Sequence, residues 1–263
     1  MARSGWAGLW RQAAVPFESF VMTIEQVLHQ HAARTGENGL VYGLVGPEPD
    51  WLPLERLIQS VPAGLMPRLK NFGVYFVPWL VKQKRSVLVA TEPKAEGEKR
   101  NELCHHLDFR SQGTLAVISH QYYHEDLYGL AMEFFDKVAY VAALEESEND
   151  AAYAALLEQQ AAPGELTPDA WGWRQELEKP GGRNEENLLN YRRTAFTDAL
   201  GLYMAAMFMD VYYEDLFDAR DEFPPLAPEP LQQRLRWMEK QYPPSRGFPF
   251  QVYRQRERRR GRS

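Results

Sequence analysis

Four of the six histidines in this 263-residue chain fall within twenty residues: His105, His106, His120 and His124. Glu102, Asp108, Glu125 and Asp126 stand among them. Neutral imidazole nitrogens and carboxylate oxygens are the ligand atoms of zinc and iron sites, so the cluster is a candidate metal cage. On helices, Glu102 and His105, three apart, share a face, as do His120 and His124, four apart. A chance grouping on a solvated turn is the competing reading. His29 and His31, two apart, face different sides of a helix and carry no ligand expectation.

The segment Asn101-Glu102-Leu103-Cys104-His105-His106-Leu107-Asp108, followed by Phe109, resembles the core helix of zincin-type metallopeptidases. It is particularly similar to small bacterial and phage metallopeptidase-like proteins whose helix reads H-E-L-C-H-H-L-D. In that arrangement two histidines one turn apart bind zinc, and the glutamate between them activates a zinc-bound water. The resemblance implies Glu102 as general base, His105 as zinc ligand, and His106 and Asp108 as groups that orient the ligands. It also implies a third ligand downstream, His120 or His124, with Glu125 a weaker choice. The departure is Asn101, which stands where the first histidine ligand belongs. An amide oxygen is a poor zinc ligand. Three readings follow: a degenerate pseudoenzyme that keeps the fold and binds a partner, a metal held by His105, His120 and His124 with Glu102 reassigned, or a chance match over eight residues.

Other chemistries find less support. The one cysteine, Cys104, is next to His105, and on a helix the two point apart, which favours a small buried side chain over a nucleophile. The chain has no Walker loop, dinucleotide-binding glycine motif or G-x-S-x-G elbow.

Hydrophobic periodicity supplies the elements that would position these residues. It predicts a helix over 17–34, a strand at Leu40–Val45, a short helix at 51–60, and strands at Val74–Val77 and Ser86–Ala90. The candidate metal helix follows at 95–109. A helix capped by Ser119 then runs to about residue 146, with further helices at 150–161, 184–220 and 231–242. Residues 163–183, rich in Pro and Gly, read as a connector with one helical turn near Trp171. The expected fold is α+β and mostly helical, with a small N-terminal sheet, the zincin-like helix and a helical bundle. The expected regions are 1–115, 116–243 and a basic disordered tail, 244–263.

A 44% share of hydrophobic residues supports a packed core. The net charge is −6, and the last ten residues, with six Arg and one Glu, contribute +5. The remainder is an acidic body, and the tail is a candidate for weak nucleic-acid contact. Tyr203, Met204, Met207, Phe208, Met209, Tyr212 and Tyr213 ring the 184–220 helix, which implies burial within the chain or against a protein partner such as a second copy. No apolar run reaches the length of a membrane span. A single cysteine forbids an intramolecular disulfide and suggests a reducing, cytoplasmic compartment, with Met1–Phe17 as an alternative organellar targeting segment. Two functions are expected to compete: a zincin-like metallopeptidase relative carrying zinc, and a non-enzymatic interaction subunit of a protein or nucleoprotein assembly.

Overall fold

The structure is a computed structural model that describes residues 21–95, 99–145, 150–160, 164–217 and 222–253. The expected targeting segment and the Arg-rich residues 254–263 lie outside the described residues.

The fold is α+β. In chain order, β1 (Val21–Thr23), α1 (Ile24–Gln30), β2 (Arg34–Thr35), β3 (Val41–Leu44), α2 (Leu54–Gln59), β4 (Phe72–Val77), β5 (Trp79–Gln83), β6 (Ser86–Ala90), β7 (Glu102–Leu103), β8 (His105–Arg110) and β9 (Gly113–Ser119) form the sheet region. Helices α3 (Leu127–Leu144), α4 (Asp150–Gln159), α5 (Pro168–Glu178) and α6 (Glu185–Phe208) follow, then β10 (Val211–Tyr212), α7 (Pro228–Gln241) and β11 (Val252–Tyr253). Five strands pair in the order β2-β3-β4-β9-β8, and four in the order β1-β6-β5-β7.

β4 is the central strand of the larger sheet, parallel to both β3 and β9. Its alternation divides two apolar layers. Val74 and Phe76 join the helical core, whereas Tyr75 and Val77 pack with α1 and the four-stranded sheet. Pro78 has no N–H to continue the ladder, and there the chain passes from the larger sheet to the smaller. It returns at Cys104, between β7, which pairs with β5, and β8, which pairs with β9. The two crossings are tied together: the amide of Ser119 donates to the Cys104 carbonyl at 2.9 Å, and the Ser119 hydroxyl donates to the Pro78 carbonyl at 3.0 Å.

The expected metal helix is therefore not formed; its described residues 102–110 are strands β7 and β8. The run Leu115-Ala116-Val117-Ile118 of β9 fits a half-buried pleated surface, and pairing with it overrides the helical preference of the Glu, Leu and His residues. The hairpin turn depends on Gly113, at φ +147°, where a Cβ would sit 2.0 Å from the Asn71 carbonyl oxygen. The boundary expected at residue 115 falls inside β9.

α3 packs on the sheet through Phe134, whose ring centre lies 5.7 Å from that of Phe76. Its other side meets α6, with Phe135 and Phe208 6.0 Å apart. The Met and aromatic residues of α6, among them Tyr203, Met204, Met207 and Phe208, are buried within the chain. The surface that suggested a second subunit is thus already covered. The Phe250 ring sits 4.9 Å from Tyr203, so the residues before 254 pack on the body and do not begin a tail. The 163–183 connector contains a full helix, α5, capped by Thr167. Among the described residues no helix is long and apolar enough to cross a membrane.

One buried charge cluster ties the helical layer together. Glu165 and Arg234 are both wholly inaccessible. Arg234 donates to Glu165 Oε2 at 2.7 Å and to Oε1 at 3.2 Å, and its Nε donates to Gln160 Oε1 at 2.9 Å. Arg174 and Tyr191 also donate to Glu165 Oε1, at 2.9 and 2.6 Å. Both oxygens of this carboxylate have donors, which is the condition under which a buried ion pair is tolerated.

Candidate metal centre

In a regular strand, Cys104 and His105 would point to opposite faces. The bend between β7 and β8 breaks that alternation, and both side chains project to one side. His105 pairs opposite Ile118, on the face of the sheet that meets the helical core. From the facing helix α3, Glu133 reaches back toward them. Cys104 Sγ lies 3.3 Å from His105 Nδ1, and Glu133 Oε1 lies 2.7 Å from the same nitrogen. The three ligand atoms all fall within 4.8 Å of one another.

Two further residues approach Glu133. The Tyr123 hydroxyl donates to Oε2 at 2.7 Å, and Lys137 Nζ stands 3.1 Å from Oε1. Burial pushes the Glu133 carboxyl up, but His105, Lys137 and Tyr123 outweigh it and hold the group down at about 2. Burial and the neighbouring Glu133 carboxylate push the Tyr123 hydroxyl up, so it stays a donor. Oε1 is buried, yet neither His105 nor Lys137 is aligned with it as a hydrogen-bond donor.

Tyr123 is delivered by a strained turn. His124 and Glu125 are consecutive non-glycine residues at φ 40° and 68°, a conformation unfavourable for each. Asp126 then caps α3, accepting from the Gly129 amide at 3.0 Å.

The arrangement differs from the residue set expected from sequence. His105 is in the site. Glu102 is on β7 opposite Val81, and its buried Oε1 has no hydrogen-bond partner, but it is not one of the converging groups. His120 and His124 share no face, because residues 121–123 form a 3-10 turn and not an α-helix. His120 is 2% exposed, with neither ring nitrogen partnered, and burial pushes it down to about 4. His124 is exposed. Asp108 bonds to Arg110 Nε at 2.7 Å and orients no ligand. His106 sits opposite Val117 on the other face of the sheet from His105.

Cys104, Tyr123, Glu133 and Lys137 were not anticipated. Glu133 had a signal: it is the one carboxylate inside the run Leu130-Ala131-Met132-Glu133-Phe134-Phe135, where a charge must have a partner. Cys104 carries no such signal, because the expected helix turns it away from His105, whereas the bend between β7 and β8 brings the two together.

Chemically, the trio does not fit a nucleophilic Cys-His-Glu relay. Such a relay uses one ring nitrogen for the nucleophile and the other for the acid. Here Nδ1 faces both Sγ and Oε1. Three potential ligand atoms within 4.8 Å of one another could hold a cation, and thiolate, imidazole and carboxylate are all zinc ligands. With the His105 side chain 33% exposed and Glu133 18%, solvent reaches one side. No protein-family model matches the chain, and no curated protein matches it.

Proposed function

We propose that the protein binds zinc through Cys104, His105 and Glu133, with a fourth position open toward solvent. The observation that carries this reading is the double approach to His105 Nδ1, by Sγ at 3.3 Å and by Oε1 at 2.7 Å. The poorly aligned, buried Oε1 of Glu133 supports it, since a carboxylate oxygen with no aligned donor is suited to a metal ion. Three protein ligands and an open position make up the catalytic class of zinc site, in which the metal polarises a substrate or activates water. Hydrolysis of peptides, the activity expected from residues 101–108, is therefore the first activity to assay, with a ligand set different from the zincin one. Tyr123 fixes the carboxylate plane in either case.

The test is the metal content of untagged protein grown with zinc. Stoichiometric zinc is expected, lost in Cys104→Ser, His105→Ala and Glu133→Gln and retained in His120→Ala. Zinc at 100 times its dissociation constant should stabilise the wild-type chain by about 2.7 kcal/mol in thermal unfolding and leave the three ligand variants unmoved. Folded wild-type protein that holds no zinc overturns the reading.

A further inference from the structure

Lys137 already places a positive charge at the candidate metal site. Its Nζ is 3.1 Å from Glu133 Oε1, the oxygen that also faces His105 Nδ1 at 2.7 Å. The same Nζ is 2.6 Å from Asp136 Oδ2. The ammonium is thus held in a fork. One prong is a proposed metal ligand and the other is not. Glu133 and Lys137 are one turn apart on α3, so the fork is built into a single rigid element.

A divalent cation and an ammonium repel each other strongly when both lie against one carboxylate oxygen in a partly buried site. Metal entry at Oε1 therefore requires Nζ to withdraw. The withdrawal has a destination and has room. Asp136 is bonded already, and both residues line a cavity of about 420 Å³ between α3, α5 and α6, with Trp173, Asn190 and Asp198 on its far side. Lys137 is 14% exposed at its side chain and Asp136 48%, so the movement carries the ammonium from the interior toward solvent.

We infer that Lys137 is a tethered competitor for the metal and that Asp136 is the acceptor that draws it away. The pair sets the affinity of the site without touching the metal. The inference rests on the zinc reading above and adds a sign to it. Removing the lysine charge should tighten binding, and removing the acceptor should weaken it. A residue that merely supported Glu133 would weaken binding when lost.

The experiment is competition of zinc, and separately cobalt(II), against a chromophoric chelator, using the full chain and its Lys137→Met and Asp136→Asn variants. Lys137→Met is expected to bind roughly tenfold tighter, and Asp136→Asn roughly tenfold weaker, the scale typical of groups that surround metal ligands. Circular dichroism establishes that each variant is folded. Wild-type protein that binds metal, with Lys137→Met unchanged or weaker, overturns the inference and leaves the zinc site standing. If Lys137→Met does not fold, Asp136→Asn decides alone, and unchanged or tighter binding by it has the same force. Wild-type protein that binds neither metal overturns both readings.

Discussion

Two carboxylates, the buried Glu165 and the half-buried Glu133, are treated in opposite ways. Glu165 is inaccessible and receives donors from Arg234, Arg174 and Tyr191 on both oxygens. Glu133 has one oxygen held by Tyr123 and the other crowded by His105 and Lys137 without an aligned bond. The first arrangement gives both oxygens donors and ties the helical layer together. The second holds one oxygen by a hydrogen bond and the other by ion pairs beside the bend between β7 and β8. Nearby, Glu102 Oε1 and both nitrogens of His120 are buried without a hydrogen-bond partner. Buried polar groups are fully paired at one centre and less completely paired at the other, and that contrast is what the zinc proposal rests on.

The largest effect should come from breaking the satisfied centre. Arg234→Met leaves Glu165 short of two of its donors and should cost about 3–5 kcal/mol in urea unfolding. The double variant Arg234→Met/Glu165→Leu should recover part of that loss, because no uncompensated charge is then buried. A double variant as unstable as the sum of its singles would show that the two residues act independently.

The next effect concerns His120. Its folded-state value, about 4, lies below the ordinary 6.5, so the folded chain resists protonation more than the unfolded chain does. Stability is then full above pH 6.5, falls as the pH drops toward 4, and levels off below. The sign is that of a buried neutral base, and the shift corresponds to about 3 kcal/mol. His120→Phe should flatten that part of the profile, measured as unfolding midpoints at pH 7 and pH 4.5. Identical pH dependence in both proteins would remove His120 from the account. Smaller still is the cap that aims α3, and with it Glu133, at the bend. Asp126→Ala should cost about 1 kcal/mol in the same unfolding assay. A neutral result would mean that packing of Phe134 and Phe135 alone positions the helix.

Much of the fold was legible in local pattern. The apolar run at Ser86–Ala90 is a strand with those bounds, and α3 and α6 lie inside the helices expected over 119–146 and 184–220, although Ser119 closes β9, Asp126 caps α3, and α6 stops at Phe208. The segment 102–110 misled because its residues favour a helix, while the reason it is a strand lies in β9 and in the Gly113 turn. The same misreading split the site. A helix turns Cys104 away from His105, whereas a bend between two sheets brings them together. The histidine-centred cluster expected over 102–126 also stops short of Glu133. Its importance comes from an apolar run that places a carboxylate inside the core, and its neighbours at the site come from a different element. Nothing local marked Glu165, which lies in a stretch read as connector and whose partners are set by the packing of α5, α6 and α7.

The two centres also differ in how far the chain must travel to make them. Cys104, His105, Tyr123, Glu133 and Lys137 come from one continuous stretch, a hairpin followed by a turn and a helix, and His105 and Glu133 are 28 residues apart. Glu165 and Arg234 are separated by 69. Loop closure grows costlier with that distance, and domains emerge from synthesis N-terminal end first. The stretch that carries the candidate metal ligands is therefore complete while α6 and α7 are still being made. The proposed ligands are thus in place before the helices that bury Phe134 and Phe135 arrive, and under the zinc proposal the order of synthesis lets the site load before the helical layer closes over it.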